Sequence, residues 1–358
     1  MAAENLLHKW FPTAARPLLI SAPMFTVANG ALAAAVTQAG GLGMVPAGMD
    51  PSATSPHLAA LDEQLTIASQ LINNADSNKT STVTDDARPP LQVGVGFLTL
   101  LATPEAYRAN ALPILQRHRP AFVWLFGSDP AEYGPLIALF REAGADWGLK
   151  VFVQVGTVEA ARQVVRAGAD VVVAQGSDAG GHQFAAAASV VTLVPEIADA
   201  LRGEEEFRER GVAVVAAGGI ADGRGGRGGV GAGGGCGGDG DSDSNPSVRN
   251  AILKTSDGGA TTTRSSINDA IMGYPTWSKL YAGRTILHSG LADIENGIPV
   301  EQIHESFIKA VAEGDETRMI TFSGTGVGLV RSSKPAGDIV QEVRDEALAV
   351  IAKLKSNL

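Results

Sequence analysis

Residues 171–182 read Val-Val-Val-Ala-Gln-Gly-Ser-Asp-Ala-Gly-Gly-His. An apolar run ends at Gln175, a loop of small residues follows, and the loop delivers one imidazole, His182. Glycine lets a backbone turn tightly and approach a ligand closely. A histidine held there can exchange a proton near neutral pH. Catalytic groups sit on loops at the carboxyl ends of barrel strands. The stretch is therefore read as the centre of an enzyme site, with His182 as its acid–base group. The competing reading is a loop histidine that bonds a backbone carbonyl. Gln175 is either a ligand-binding amide or one that closes a turn. Asp178, set among small residues, reads as a turn or cap residue.

A second glycine pair, Gly218 and Gly219, follows the apolar run 212–217. It would bring backbone N–H groups and a helix start to a phosphate, or simply form a tight turn. Residues 223–228 spell G-x-G-x-x-G, but no helix pattern follows, so a dinucleotide site is discounted. Arg224 and Arg227 are read as part of a solvated loop. Trp124, Phe126 and Phe97 lie at strand ends and are candidates to line a substrate pocket, with core packing the expectation for Trp124 and Phe126. The six histidines are scattered without ligand spacing, which argues against a metal site.

The elements that must position these groups are legible as a rhythm. Apolar runs recur at 18–24, 41–46, 91–97, 121–126, 150–155, 170–175 and 212–217. Several are nearly continuous, as strands buried on both faces should be. Helix-like stretches at 30–38, 130–143, 158–167 and 195–202 each stop at glycine. Repeated β-α units with short connections predict parallel strands and an α/β class. Seven strands in about 220 residues predict a (β/α)8 barrel, with a doubly wound open sheet as the alternative.

Several regions break the rhythm. Residues 73–90 are polar and aperiodic, and read as a disordered surface insertion. Residues 223–240 hold 12 glycines in 18 positions, a composition that buries too little to offset its ordering entropy. The organisation expected is a barrel over 1–225 and a disordered Gly-rich segment over 226–247. A helical and loop insertion follows over 248–322. A C-terminal loop and helix, 323–358, pack on the barrel. In that helix Ile339, Val340, Val343, Ala347, Val350 and Ile351 share a face, and 323–328 reads as a flexible loop ahead of it.

Composition narrows the partners. Hydrophobic residues make up 45 % of 358, enough for a sizeable core. A net charge of −10 argues against nucleic acid and anionic membranes. Cys236 is the only cysteine, which excludes an internal disulfide. Without a signal-like start or a spanning apolar run, a soluble cytoplasmic protein is expected. Oligomeric state is left open.

Three motifs in order resemble the nitronate monooxygenases, formerly called 2-nitropropane dioxygenases. They are Ala22-Pro23-Met24, the Gly-Ser-Asp-Ala-Gly-Gly-His loop, and the Ala-Gly-Gly-Ile-Ala-Asp-Gly turn beginning at Ala217. The resemblance runs over 18–225 and resumes at 250–259 and 323–328. It implies a TIM barrel that binds FMN without a covalent link. It also implies oxidation of alkyl nitronates, and in some members neutral nitroalkanes, by O2 to a carbonyl compound and nitrite. By resemblance, Ala22, Pro23 and Met24 lie along the flavin and Gln175 hydrogen-bonds it. Gly180 and Gly181 approach its phosphate side, Gly218 and Gly219 help hold the phosphate, and His182 matches the catalytic histidine. The chain departs from the pattern after the Gly-Gly-Ile turn. The family there has an alanine-rich helix and an eighth strand ending in a phosphate-binding Gly-Thr pair, whereas 226–247 stands in their place. The eighth strand is thus expected to be lost. Two other readings follow: a barrel remnant that is inactive or binds FMN weakly, and a related flavin barrel acting on an enoyl thioester.

Overall fold

Every apolar run of the sequence forms a strand. The computed structural model describes residues 6–75, 89–101, 103–224, 231–233, 242, 245–274 and 277–356. In chain order the strands are β1 (Leu19–Ser21), β2 (Gly43–Pro46), β3 (Leu91–Leu98), β4 (Pro120–Phe126), β5 (Lys150–Val155), β6 (Val171–Gln175), β7 (Gly181–Phe184), β8 (Ala213–Ala217), β9 (Gly231–Gly233), β10 (Thr262–Ser265) and β11 (Tyr281–Ile286). Eight of them lie side by side in the order β1-β9-β8-β6-β5-β4-β3-β2, all parallel. The two ends of that series meet. Ser21 N–H donates to the Leu42 carbonyl at 3.0 Å, and Leu42 N–H to the Leu19 carbonyl at 2.8 Å. The sheet closes into the (β/α)8 barrel expected from the sequence.

Alternation along the strands splits the apolar residues into two cores. One set faces inward: Ile20, Met44, Phe122, Trp124, Phe152, Val171, Val173 and Val215 fill the barrel. Leu7 and Phe11 join them from the N-terminal segment, with the Phe11 ring edge-on to Phe122 at 5.7 Å. The intervening residues, among them Val45, Val95, Val123, Val153 and Val172, face the surrounding helices. Gly94 and Gly96 of β3 make the interior fit. A Cβ on Gly94 would lie 2.3 Å from the Phe122 ring, and one on Gly96 would lie 2.2 Å from Pro23 Cβ. Pro23 is thereby seated over the carboxyl end of β3.

The helices begin and end where capping chemistry dictates. Helix Gly30–Gln38 starts at Asn29, whose side chain accepts from Leu32 N–H, and stops before Gly40 at φ +79°. Helix Val158–Arg166 is capped by Thr157 and ends before Gly168 at φ +105°. The helix expected from Pro195 begins earlier, at Val190. The Ser189 carbonyl starts its turns by accepting from Thr192 and Leu193, and Leu193 is buried. The C-terminal helix Ala336–Ser356 packs through Ala336, Val340 and Ala347, and Val340 joins Leu32 and Val36 in one cluster. Its buried Arg344 donates to the Ala39 carbonyl at the end of helix Gly30–Gln38, at 2.9 Å.

Three expectations are corrected. The eighth strand is not lost: Gly231–Gly233 pairs with β8 on one side and β1 on the other. Strand pairing uses backbone N–H and C=O groups, which glycine carries like any other residue. The disorder expected over 226–247 otherwise falls largely outside the described residues, as does most of 73–90; helix Pro56–Ala75 extends into the latter. Residues 248–322 are more than helices and loops, because β10 and β11 join β7 in an antiparallel sheet. Residues 323–328 are not a loose loop. Thr325–Leu329 forms a 3-10 turn packed on Gly258, where a Cβ would lie 2.1 Å from the Thr325 carbonyl oxygen. Among the described residues no helix is long and apolar enough to cross a membrane.

Close backbone contact makes one glycine structurally critical and leaves another free. A Cβ on Gly43 would sit 1.9 Å from the Ala33 carbonyl oxygen, whereas one on Gly134 meets nothing within 4 Å. Gly43→Ala is expected to lower the unfolding free energy in urea by about 1–3 kcal/mol. Gly134→Ala is expected to raise it by about 0.4–1 kcal/mol.

Candidate active site

The carboxyl ends of the barrel strands carry the loops on which the candidate residues sit. β6 ends at buried Gln175. The chain then turns through 176–180, and Gly181, at φ +72°, starts β7. His182 is therefore held in a strand. It lies directly opposite Gly283 of β11, whose missing side chain leaves room for the imidazole. Gln175 Nε2 donates to the His182 carbonyl at 3.1 Å and ties β7 back to the barrel.

The imidazole is clamped from two sides. Its Nε2 lies 2.8 Å from Asp269 Oδ1, and the Asp269 side chain is only 4 % exposed. Its face stacks on Trp277, with centroids 4.0 Å apart and planes within 9°. Phe322 stands beside it at 5.3 Å. An ionised carboxylate only accepts hydrogen bonds. The pairing thus assigns the proton of the neutral ring to Nε2 and leaves Nδ1 as the basic nitrogen. The partner of Nε2 is thus a carboxylate and not a backbone carbonyl.

A polar cluster lies on the element that carries Asp269. It sits on helix Ile267–Met272, beside fully buried Asn268. Asn268 bonds Thr285 Oγ1 at 3.4 Å and His288 Nε2 at 3.0 Å. Burial pushes His288 below the usual imidazole range, so it stays neutral there. Phe126 packs with Phe184, Trp277 and Tyr281 next to the imidazole. Tyr281 OH donates to the Ser128 carbonyl at 2.6 Å. Burial pushes the Tyr133 phenol up to about 12 and raises Tyr107 and Tyr281 as well. These phenols stay protonated near neutral pH, which removes them as bases.

The glycine loops meet backbone to backbone. A Cβ on Gly180 would lie 2.5 Å from Gly324 N. Gly218, at φ +91°, and Gly219, at φ +75°, lie against Ala179 and Asp178, where added Cβ atoms would approach to 2.8 Å. Asp178 fastens the junction, as a turn residue should. Its carboxylate accepts from Ser189 Oγ at 2.7 Å and its carbonyl from Thr325 N–H at 3.0 Å. The motifs 176–182, 218–219 and 323–325 are thus one site. Ala22, Pro23 and Met24 lie at the same barrel end, just after β1, and Met24 packs on the cluster of Ala28, Leu32 and Val36.

The remaining candidates separate cleanly. Trp124 fills the barrel and donates to Gln154 Oε1 at 2.9 Å. Phe97 packs outward with Tyr107 and Phe140. Arg224 is paired with Asp222, and Arg227 lies outside the described residues. The sequence reading missed Asp269 and Trp277. Asp269 lies 87 residues from His182, and no local spacing connects them.

One observation bears on a flavin. Gln175 Oε1 is buried and has no hydrogen-bond partner among the described residues at the barrel mouth. An orphan acceptor there suits the ring N–H of a bound heterocycle. Above Gly181 a Cβ would meet nothing within 4 Å. The donor and acceptor set fits the group that the resemblance implies.

Comparison with known proteins agrees. The nitronate monooxygenase family model matches residues 9–232. A nitronate monooxygenase of Neurospora crassa is 43 % identical, over 99 % of this chain and 95 % of the relative. The Metarhizium robertsii nitronate monooxygenase npaC is 32 % identical, over 99 % and 98 %. Among solved structures, FabK from Thermotoga maritima superposes with a TM-score of 0.69 at 24 % identity, covering 99 % of both chains. Nitroalkane oxidase from Streptomyces ansochromogenes gives 0.68 at 22 %, covering 96 % of this chain and 99 % of that one. These two likenesses are of fold. With its sequence relatives matched end to end, the chain belongs to the nitronate monooxygenase family.

Proposed function

We propose that this chain oxidises alkyl nitronates with bound FMN and O2, giving a carbonyl compound and nitrite, and that it also accepts neutral nitroalkanes. The observation that carries the reading is an imidazole oriented by a buried carboxylate beside an orphan amide oxygen. FMN, when bound, supplies the redox chemistry between substrate and O2. Gln175 Oε1 would accept from its ring N–H. The backbones of Gly180, Gly181, Gly218 and Gly219 would approach its phosphate side, and Ala22, Pro23 and Met24 would run beside it.

The chain's own contribution is a proton step. The carbon next to a nitro group is acidic, and His182 Nδ1 takes its proton. Asp269 keeps Nε2–H in place and stabilises the imidazolium that forms. Trp277 covers one face of the ring and excludes water from it. A preformed nitronate has no such proton to lose. His182 then positions the anion rather than acting as a base.

The two substrate classes therefore separate the roles. His182→Asn is expected to lower kcat on a neutral nitroalkane by about 10²–10⁴-fold and to affect a preformed nitronate far less, with the yellow flavin spectrum retained. Equal losses on both substrates would refute the base assignment. Asp269→Asn is expected to lower nitroalkane kcat by at least about tenfold, with KM and flavin content nearly unchanged. Flavin released by heating the purified protein is expected to co-migrate with FMN on chromatography; FAD, or no flavin, would contradict the cofactor.

A further inference from the structure

The antiparallel sheet has a second face that the proton step does not use. Side chains alternate along a strand, so His182 points to one face and its neighbour Gly181 to the other. Gly181 lies directly opposite Arg284 of β11, and Arg284 lies directly opposite Arg264 of β10. Two cations and a glycine therefore form a row across the three strands. Like charges directly opposed across a strand pair repel, so this placement needs a compensating partner.

The described residues do not supply one. Among the described residues neither arginine forms a salt bridge with a carboxylate. Arg264 reaches over β11 to Gln183 Oε1 at 3.5 Å and the Phe184 carbonyl at 3.4 Å, both long contacts. Arg284 donates to the Ser177 carbonyl at 3.3 Å and Thr262 Oγ1 at 3.2 Å. Its Nε is buried with no hydrogen-bond partner among the described residues. The Asp178 charge is felt at Arg284, but burial and the Arg264 charge outweigh it and shift Arg284 toward its neutral form. The Asp178 carboxylate is itself engaged by Ser189. Beside the pair, the space where a Gly181 side chain would stand is open to 4 Å.

We propose that Arg264, Arg284 and the hollow over Gly181 form a binding site for a phosphoryl group. Guanidinium forks match the geometry of phosphate oxygens and bond them through charged contacts. A bound dianion would satisfy Arg284 Nε and remove the repulsion between the two cations. A glycine at 181 leaves the anion room to approach the backbone. The phosphoryl group is either the phosphate of the flavin nucleotide or one on a separate small molecule.

Two titrations on the full-length protein separate these sources, and neither reads nitronate turnover. First, flavin-free protein is titrated with FMN and with riboflavin, following flavin fluorescence. If the site takes the flavin's phosphate, Arg264→Gln weakens FMN binding at least tenfold and leaves riboflavin binding unchanged. Second, the melting temperature of flavin-loaded protein is followed with inorganic phosphate against chloride at equal ionic strength. If the site takes a separate phosphate, phosphate raises the melting temperature of the parent chain. That rise vanishes in Arg264→Gln, while FMN affinity stays the same. Arg284→Gln should behave likewise. Should its lost contacts to Ser177 and Thr262 prevent folding, Arg264→Gln decides the matter alone, since its contacts are long and weak. If Arg264→Gln matches the parent chain in both titrations, the proposal is wrong.

Discussion

Asp269 is a carboxylate shut away from water, and much of the structure follows from what it requires. A buried charge that is not paired and hydrogen-bonded is strongly destabilising. Its bond to His182 Nε2 spans 87 residues and fastens helix Ile267–Met272 to β7. A hydrogen bond to a charged group contributes about 1.5–3 kcal/mol. Here the same bond sets which imidazole nitrogen carries the proton. Stability and chemistry therefore rest on one contact. The stacked Trp277 removes the remaining rotational freedom of the ring.

Around that contact the loops are held by close backbone approach more than by side chains. Gly180 against Gly324, Gly218 against Ala179 and Gly258 against Thr325 bring four distant stretches together. None of these approaches tolerates a Cβ without displacing main chain. The consequence is a rigid rim at the carboxyl ends of β6 and β8, which would hold a bound flavin and the proposed base in fixed orientation. The barrel beneath supplies that rigidity because a closed sheet has no free edge. Closure is completed by a very short strand, Gly231–Gly233, which pairs through backbone on both sides.

Much of the barrel was legible without coordinates. The runs at 91–97, 121–126 and 170–175 are strands because both their faces are buried, which erases polar alternation and leaves continuous apolar sequence. Helix Gly30–Gln38 was legible to the residue from its alanine-rich run and the stop at Gly40, and Asn29 proves to cap its start. The helix begun at Pro195 was misjudged by five residues: its turns form on the carbonyl of Ser189, a residue of a type that caps helices, whose side chain here bonds Asp178 instead of the helix start. The Gly-rich segment misled in the other direction. Its composition argued for lost structure, yet backbone pairing needs no side chain.

What the linear chain determined by itself was whatever rests on neighbours in sequence: the strand–helix rhythm, the helix ends, the glycine turns, and the arrival of His182 just past Gln175. These follow from short-range sterics and capping, which operate over a few residues. What only the tertiary structure decided was the environment of that histidine. The β7–β11 pairing, the Asp269 partner, the Trp277 stack and the facing of Arg264 onto Arg284 join positions some 20 to 100 residues apart. Such contacts exist only once burial has made an unpaired carboxylate or an exposed ring face unfavourable. No periodicity in the sequence encodes that choice.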